Sequence, residues 1–235
     1  MGEHTVTSFD DELEHIDRLL RDMGDLAGSM VQSSTRALVN SDNALAQRII
    51  SDDLVMDARQ RELDEASITL IAKRQPMALD LRSVVGAIRM AADLERIGDL
   101  AKNIAKRVGA VVQTPTQKSL ALSIETMSEM VLLQVKGVVD GYVARDADEL
   151  RSLRERDEKI DIKYTAVFRE LLTYMMEDPR NITACTHLLF CAKNLERIGD
   201  HVTNIAENAY YTVTGEQLPA QRPKQDETAM SALAE

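Results

Sequence analysis

"DLERIGDLAKNIAKR" spans Asp93 to Arg107, and "NLERIGDHVTNIAEN" spans Asn194 to Asn208. The six residues LERIGD recur 101 positions apart, Leu94 to Leu195, and Asn-Ile-Ala follows each copy at the same distance. Around the first copy, Ala87, Met90, Leu94, Ile97, Ala101, Ile104 and Val108 alternate in steps of 3 and 4. Leu188, Cys191, Leu195, Ile198, Val202, Ile205 and Ala209 do the same around the second. That spacing predicts a helix with a narrow apolar seam against a nearly antiparallel neighbour. The correspondence extends outward: Met23 matches Met127 and Asp42 matches Asp146 at an offset of 104, and Pro76 matches Pro179 at 103. A duplication with a period near 100 makes each copy a small bundle rather than a solenoid unit.

Five prolines punctuate the 235-residue chain. Proline loses a donor and clashes inside a helix, so the long stretches between prolines read as helices. They fall at about 9–40, 42–74, 78–112, 116–144, 146–177 and 180–212. The expected fold class is all-α: two tandem three-helix bundles from an internal duplication, over 9–113 and 114–215, in an elongated molecule. Residues 1–8 read as a flexible N-terminus, and the polar, proline-containing 216–235 as a disordered tail. Aromatic content of 3% with no Trp suits helices packed by aliphatic side chains. A net charge of -11 without a basic stripe argues against nucleic acid. No apolar run is long enough to cross a bilayer, and the N-terminus lacks a signal-peptide core, so a cytosolic protein is expected. Cys185 and Cys191, six residues apart, point to opposite faces of a helix and are not expected to pair.

The repeated stretches contain costs. Glu95 and Asp99, like Glu196 and Asp200, stack at i and i+4 and repel one another. Gly98 and Gly199 each cost about 1 kcal/mol in a helix interior relative to Ala. A second acidic pair precedes each copy: Asp53 with Asp57, and Asp157 with Asp161. Each LERIGD pair lies roughly 140° from its seam, which predicts an outward carboxylate ridge. Antiparallel packing would bring two acidic pairs of each half toward one surface. Carboxylates without neighbouring Cys suit hard cations. A solvated face paired by Arg96, Lys102, Lys193 and Arg197 is the competing reading. The glycines read as points of close helix approach, and Asn103 and Asn204 as either oxygen ligands or interhelical hydrogen-bond formers. His201 leaves some room for zinc. Glu12 and His15 have the spacing of di-iron bundles, but no second copy exists. There is no Walker loop, dinucleotide turn or serine elbow, which disfavours an enzyme.

"AKRQPMALDLR" (Ala72 to Arg82), both LERIGD segments, "ELLTYMMEDPRNI" (Glu170 to Ile182) and the stretch from Leu188 to Glu216 occur in order. On these residues the chain resembles the PhoU family over roughly 8–215. The resemblance implies two three-helix bundles and a negative regulator of the phosphate-starvation response that also modulates phosphate uptake. It implies an adaptor between the ATPase subunit of the phosphate ABC transporter and the cytoplasmic region of a phosphate-sensing histidine kinase. Homodimers are implied too, with the membrane reached only through those partners. The family's acidic signature is associated with iron, zinc, magnesium or manganese. It maps onto Glu95, Asp99, Glu196 and Asp200, and Asp53, Asp57, Asp157 and Asp161 also fit it. Arg82, Arg96, Arg197, Asn103 and Asn204 are the expected partner-binding residues. The alternative is a carboxylate-rich metal-binding bundle with redox or storage activity, and a helical scaffold without metal is a third.

Overall fold

The computed structural model describes residues 2–111 and 115–218, with side chains described for 9–111 and 120–218. Six long helices carry the fold: α1 (Gly2–Asn40), α2 (Asn43–Arg74), α3 (Leu79–Ala105), α5 (Pro115–Ala144), α6 (Ala147–Glu177) and α7 (Ile182–Thr214). A short α4 (Val108–Val111) and a 3-10 turn at Pro179–Asn181 complete it. No β-strand occurs among the described residues. The expected tail falls, for 219–235, outside the described residues, as does the boundary expected at 113/114.

The matched turns are built alike. Asp42 Oδ1 accepts from the Leu45 N–H at 2.9 Å, and Asp146 Oδ1 accepts from the Asp148 and Glu149 N–H groups at 3.1 and 3.0 Å. Each satisfies an otherwise orphaned first-turn donor. The residue before each cap, Ser41 or Arg145, takes a left-handed backbone with φ of 62° or 53°. Gly215, at φ 81°, ends α7, and its backbone N–H donates to the Tyr211 carbonyl.

Two expected boundaries need correction. Helix α1 starts at Gly2, ahead of the expected Phe9. The helix expected over 78–112 breaks after Ala105, and α4 follows. The Arg107 N–H donates to the Ile104 carbonyl, three residues back. Its guanidinium lies 4.2 Å from the centre of the Phe190 ring and 3.1 Å from His187 Nδ1 on α7. A contact with the other half thus replaces straight continuation of the helix.

All fourteen residues of the two sequence seams are buried. The halves do not keep separate cores. Helix α3 packs on α7 and α1 on α5, with α2 and α6 outside them, around one continuous aliphatic core. Both inner pairs run antiparallel: Arg82 stacks on Tyr211 near one end and Arg107 on Phe190 near the other. Thr35 Oγ1 donates to Ser128 Oγ at 2.9 Å and Tyr142 Oη to Asp17 Oδ1 at 2.6 Å across α1 and α5. Helices α1 and α3 thus each meet their own duplicate, giving the halves an approximate two-fold relation. Both cysteines are free and buried, and burial pushes the Cys191 thiol up to about 12, so it behaves as a small apolar side chain.

Candidate functional site: carboxylates at the helix contacts

In α3 and α7 the inner seam is joined by a second buried stripe of small residues. Ala91, Gly98 and Ala105 form it in α3, and Ala192, Gly199 and Ala206 in α7. This stripe receives the outer helix. A Cβ added to Gly98 would meet Met56 Cγ of α2 at 3.2 Å; one added to Gly199 would meet Asp157 Oδ1 of α6 at 2.8 Å. The reading of these glycines as points of close helix approach is therefore correct, and the stripe of small residues every seven positions was legible in the sequence.

Asp53 and Asp57 flank Met56, while Asp157 and Asp161 flank Ile160, which also faces Gly199. Each acidic pair of an outer helix therefore meets the line where that helix reaches its glycine. Asp53, Asp157, Asp161 and Glu196 are buried, with exposures of 7%, 4%, 4% and 5%. Asp57, Glu95, Asp99 and Asp200 are half-buried. An outward ridge is thus incorrect: α3 packs against α1, α2 and α7, and α7 against α3, α5 and α6, whereas the seam accounted for one neighbour.

The first half neutralises its acids with its own lysine. Lys102 Nζ lies 2.6 Å from both Asp53 Oδ2 and Asp99 Oδ1, tying α2 to α3. Arg96 adds contacts to Asp99 at 3.0 Å and Glu95 at 3.5 Å from a largely exposed position. Burial, then the charge of Asp99, holds the Glu95 carboxyl above the usual carboxylate range, with Asp57 adding to the push. Burial pushes Asp99 the same way, but hydrogen bonding and charge from Lys102, with Arg96, outweigh it and leave Asp99 below that range. Burial alone would lower Lys102, but Asp53 and Asp99 hold it above the usual lysine value.

The second half differs. Thr203 stands where the duplication would place Lys102, and its hydroxyl donates to the Gly199 carbonyl at 3.1 Å. Lys193, one turn earlier, donates to Glu196 Oε1 at 2.9 Å. His201 does not face the acids: its Nδ1 lies 2.8 Å from Asp93 Oδ1 on α3. Asn204 Nδ2 reaches the same oxygen at 3.5 Å, an interhelical role, while Asn103 is exposed. Arg96, Asp93, His201 and Asn204 line a broad groove of about 770 Å³ along α3 and α7, where the halves meet. Arg197 is exposed. Arg82 packs its guanidinium against Gly215, 5.2 Å from the centre of the Tyr211 ring. Glu12 pairs with Arg74 at 3.0 Å, so the Glu-x-x-His spacing serves an ion pair.

The all-oxygen donor set suits a hard cation, but its placement does not fit one. Among the described residues, no group of three or more His, Cys, Asp or Glu side chains is arranged to hold a metal ion. Between Asp53 and Asp99 the Lys102 ammonium takes the position a bound cation would need.

These features define a duplicated all-helical protein whose halves share one core and carry matched carboxylate groups. The PhoU domain model matches it twice, over residues 20–108 and 124–209. The chain belongs to the PhoU family. It is 58% identical over 226 residues to the phosphate-specific transport system accessory protein PhoU homolog of Rhizobium meliloti (strain 1021), covering 96% of this chain and 95% of that one. The crystal structure of PhoU from Pseudomonas aeruginosa superposes with a TM-score of 0.84 at 35% identity, covering 88% of this chain and all of that one. The phosphate transport system regulatory protein PhoU from Streptococcus pneumoniae gives 0.81 at 28% identity, covering 90% of this chain and 99% of that one.

Proposed function

We propose that this protein is a non-enzymatic accessory regulator of phosphate transport. It acts as an adaptor between the ATPase subunit of the phosphate ABC transporter and the cytoplasmic region of the phosphate-sensing histidine kinase. In that role it keeps the phosphate-starvation response off, and restrains uptake, when phosphate is plentiful. The observation that carries the reading is the family match in both halves, together with 58% identity to an accessory protein across nearly the full length.

The fold supplies what an adaptor needs. Long helices locked into one core offer rigid faces, and regulation then follows from unequal affinity for two states of a partner. Arg96 and Arg197 are exposed at matched positions, and Arg96 and Asn204 border the groove where the halves meet. No described helix is long and apolar enough to cross a membrane; in this reading contact with the bilayer runs through the partners. The working assembly in this reading is a cytoplasmic homodimer. Lys102 neutralises Asp53 and Asp99 in the first half, and this reading routes no step through iron, zinc, magnesium or manganese.

Deleting the gene and following a phosphate-starvation reporter in high phosphate tests the proposal. The expected result is derepression, reversed by the intact gene. Continued repression would overturn the regulatory role. Failure of the purified protein to retain the transporter's ATPase subunit would overturn the adaptor role alone.

A further inference from the structure

Near one end of the paired inner helices, a cleft of about 40 Å³ opens between four of them. Asp17 and Arg21 of α1, Ser83 of α3, Tyr142 of α5, Arg145 of the following turn and Thr212 of α7 line it. Both halves therefore contribute. The volume is room for roughly three waters, enough for one small tetrahedral ion.

Its charges are unusual for a chain of net charge -11. Arg21 makes one long contact, 3.4 Å, to the Asp17 carbonyl, and no carboxylate lies in ion-pair range of Arg21 or Arg145 among the described residues. Arg145, whose backbone is left-handed at φ 53°, lines the cleft from an exposed position. Burial, then Asp17, pushes the Tyr142 hydroxyl far above its usual value, while the nearby Arg145 and Arg21 guanidiniums pull the other way. The acceptors are equally defined. Ser83 and Thr212 donate their hydroxyl protons to the Leu79 and Asn208 carbonyls, so toward a ligand each oxygen can only accept, and Thr212 Oγ1 packs against Gly86 of α3. Asp17 accepts from Tyr142 at Oδ1 and keeps Oδ2 in hand.

We propose that this cleft binds inorganic hydrogen phosphate. The guanidiniums of Arg21 and Arg145 would donate to its oxygens through charge-assisted hydrogen bonds. Its remaining P–OH would donate to Asp17 or to a hydroxyl lone pair. Sulfate has no proton at neutral pH, and a phosphomonoester dianion has lost its own, so Asp17 repels both. Repulsion from the distant acids is screened beyond about 10 Å in 0.1 M salt. A bound ion would join α1 to the α5–α6 turn. The site stands apart from the adaptor proposal, since the titration below and the reporter assay fail independently.

Amide NMR of the full chain, titrated with sodium phosphate at constant ionic strength, tests it. Saturable shifts at Ser83, Arg145 and Thr212 are expected, with none from sulfate or phenyl phosphate. Arg145→Gln and Arg21→Gln should each weaken binding about tenfold or more, whereas Arg59→Gln on exposed α2 leaves it unchanged. Asp17→Asn, which can still accept from Tyr142, should admit sulfate. Equal responses to phosphate and sulfate, non-saturating shifts, or undiminished binding by the two arginine variants would each overturn the site. Phenyl phosphate binding as tightly as phosphate would overturn the role of the P–OH proton.

Discussion

The two halves of this molecule share a backbone plan and handle their buried acids differently. In the first, Lys102 lies 2.6 Å from Asp53 and from Asp99, binding an outer helix to an inner one. In the second, the matching residue is Thr203, Asp157 presses against the Gly199 backbone, and Lys193 meets Glu196 from the preceding turn. Duplication copied the place where carboxylates gather. Their neutralisation then changed separately in each copy, because a buried carboxylate needs a partner but does not dictate which neighbour supplies it.

The largest expected effect comes from removing the lysine. Lys102→Ala strands Asp53 and should cost about 2–4 kcal/mol of unfolding free energy, whereas Thr203→Ala loses a local hydrogen bond and should cost about 1 kcal/mol. Urea denaturation of both variants measures the gap, and equal losses would break the contrast. The glycines come next. Gly98→Ala pushes on Met56, a flexible side chain, and regains helix propensity of about 1 kcal/mol, so it should be close to neutral. Gly199→Ala pushes on a buried carboxylate oxygen and should be about 1–2 kcal/mol worse than Gly98→Ala. Thermal unfolding of the pair decides it.

The smallest effect is on pH dependence. Asp99 is depressed in the fold, so its contribution is present above its unfolded value of about 3.9 and is lost as pH falls through the lower folded value. Glu95 is raised, so the fold favours its protonated form. That contribution is complete below the unfolded value of about 4.3 and disappears as pH rises through the folded one. Lys102→Ala should move the Asp99 midpoint upward in carboxyl carbon NMR, and an unmoved midpoint would remove Lys102 as the cause.

Much of this was legible beforehand. The prolines and matched caps at Asp42 and Asp146 placed the helices, and all fourteen seam residues are buried where spacing put them. The gathering of Asp53 with Asp99 followed from antiparallel neighbours. The ridge expected to face outward did not, because a single seam describes contact with one neighbour and α3 packs against three, α1, α2 and α7. The stripe Ala91–Gly98–Ala105, repeated as Ala192–Gly199–Ala206, carried that information, since small residues every seven positions mark a close second contact. Nor did the sequence signal the break after Ala105, which depends on where Arg107 finds Phe190.

The sequence alone determined the duplication, the helical class and the family, because these rest on periodicity, caps and ordered repeats along the chain. Tertiary structure decided which acids are buried, that Lys102 rather than an outside cation sits between two of them, and that Arg21, Arg145 and Asp17 share a cleft. Those outcomes depend on distances between residues far apart in the chain, and helical periodicity sets directions around one axis without fixing what lies across from it.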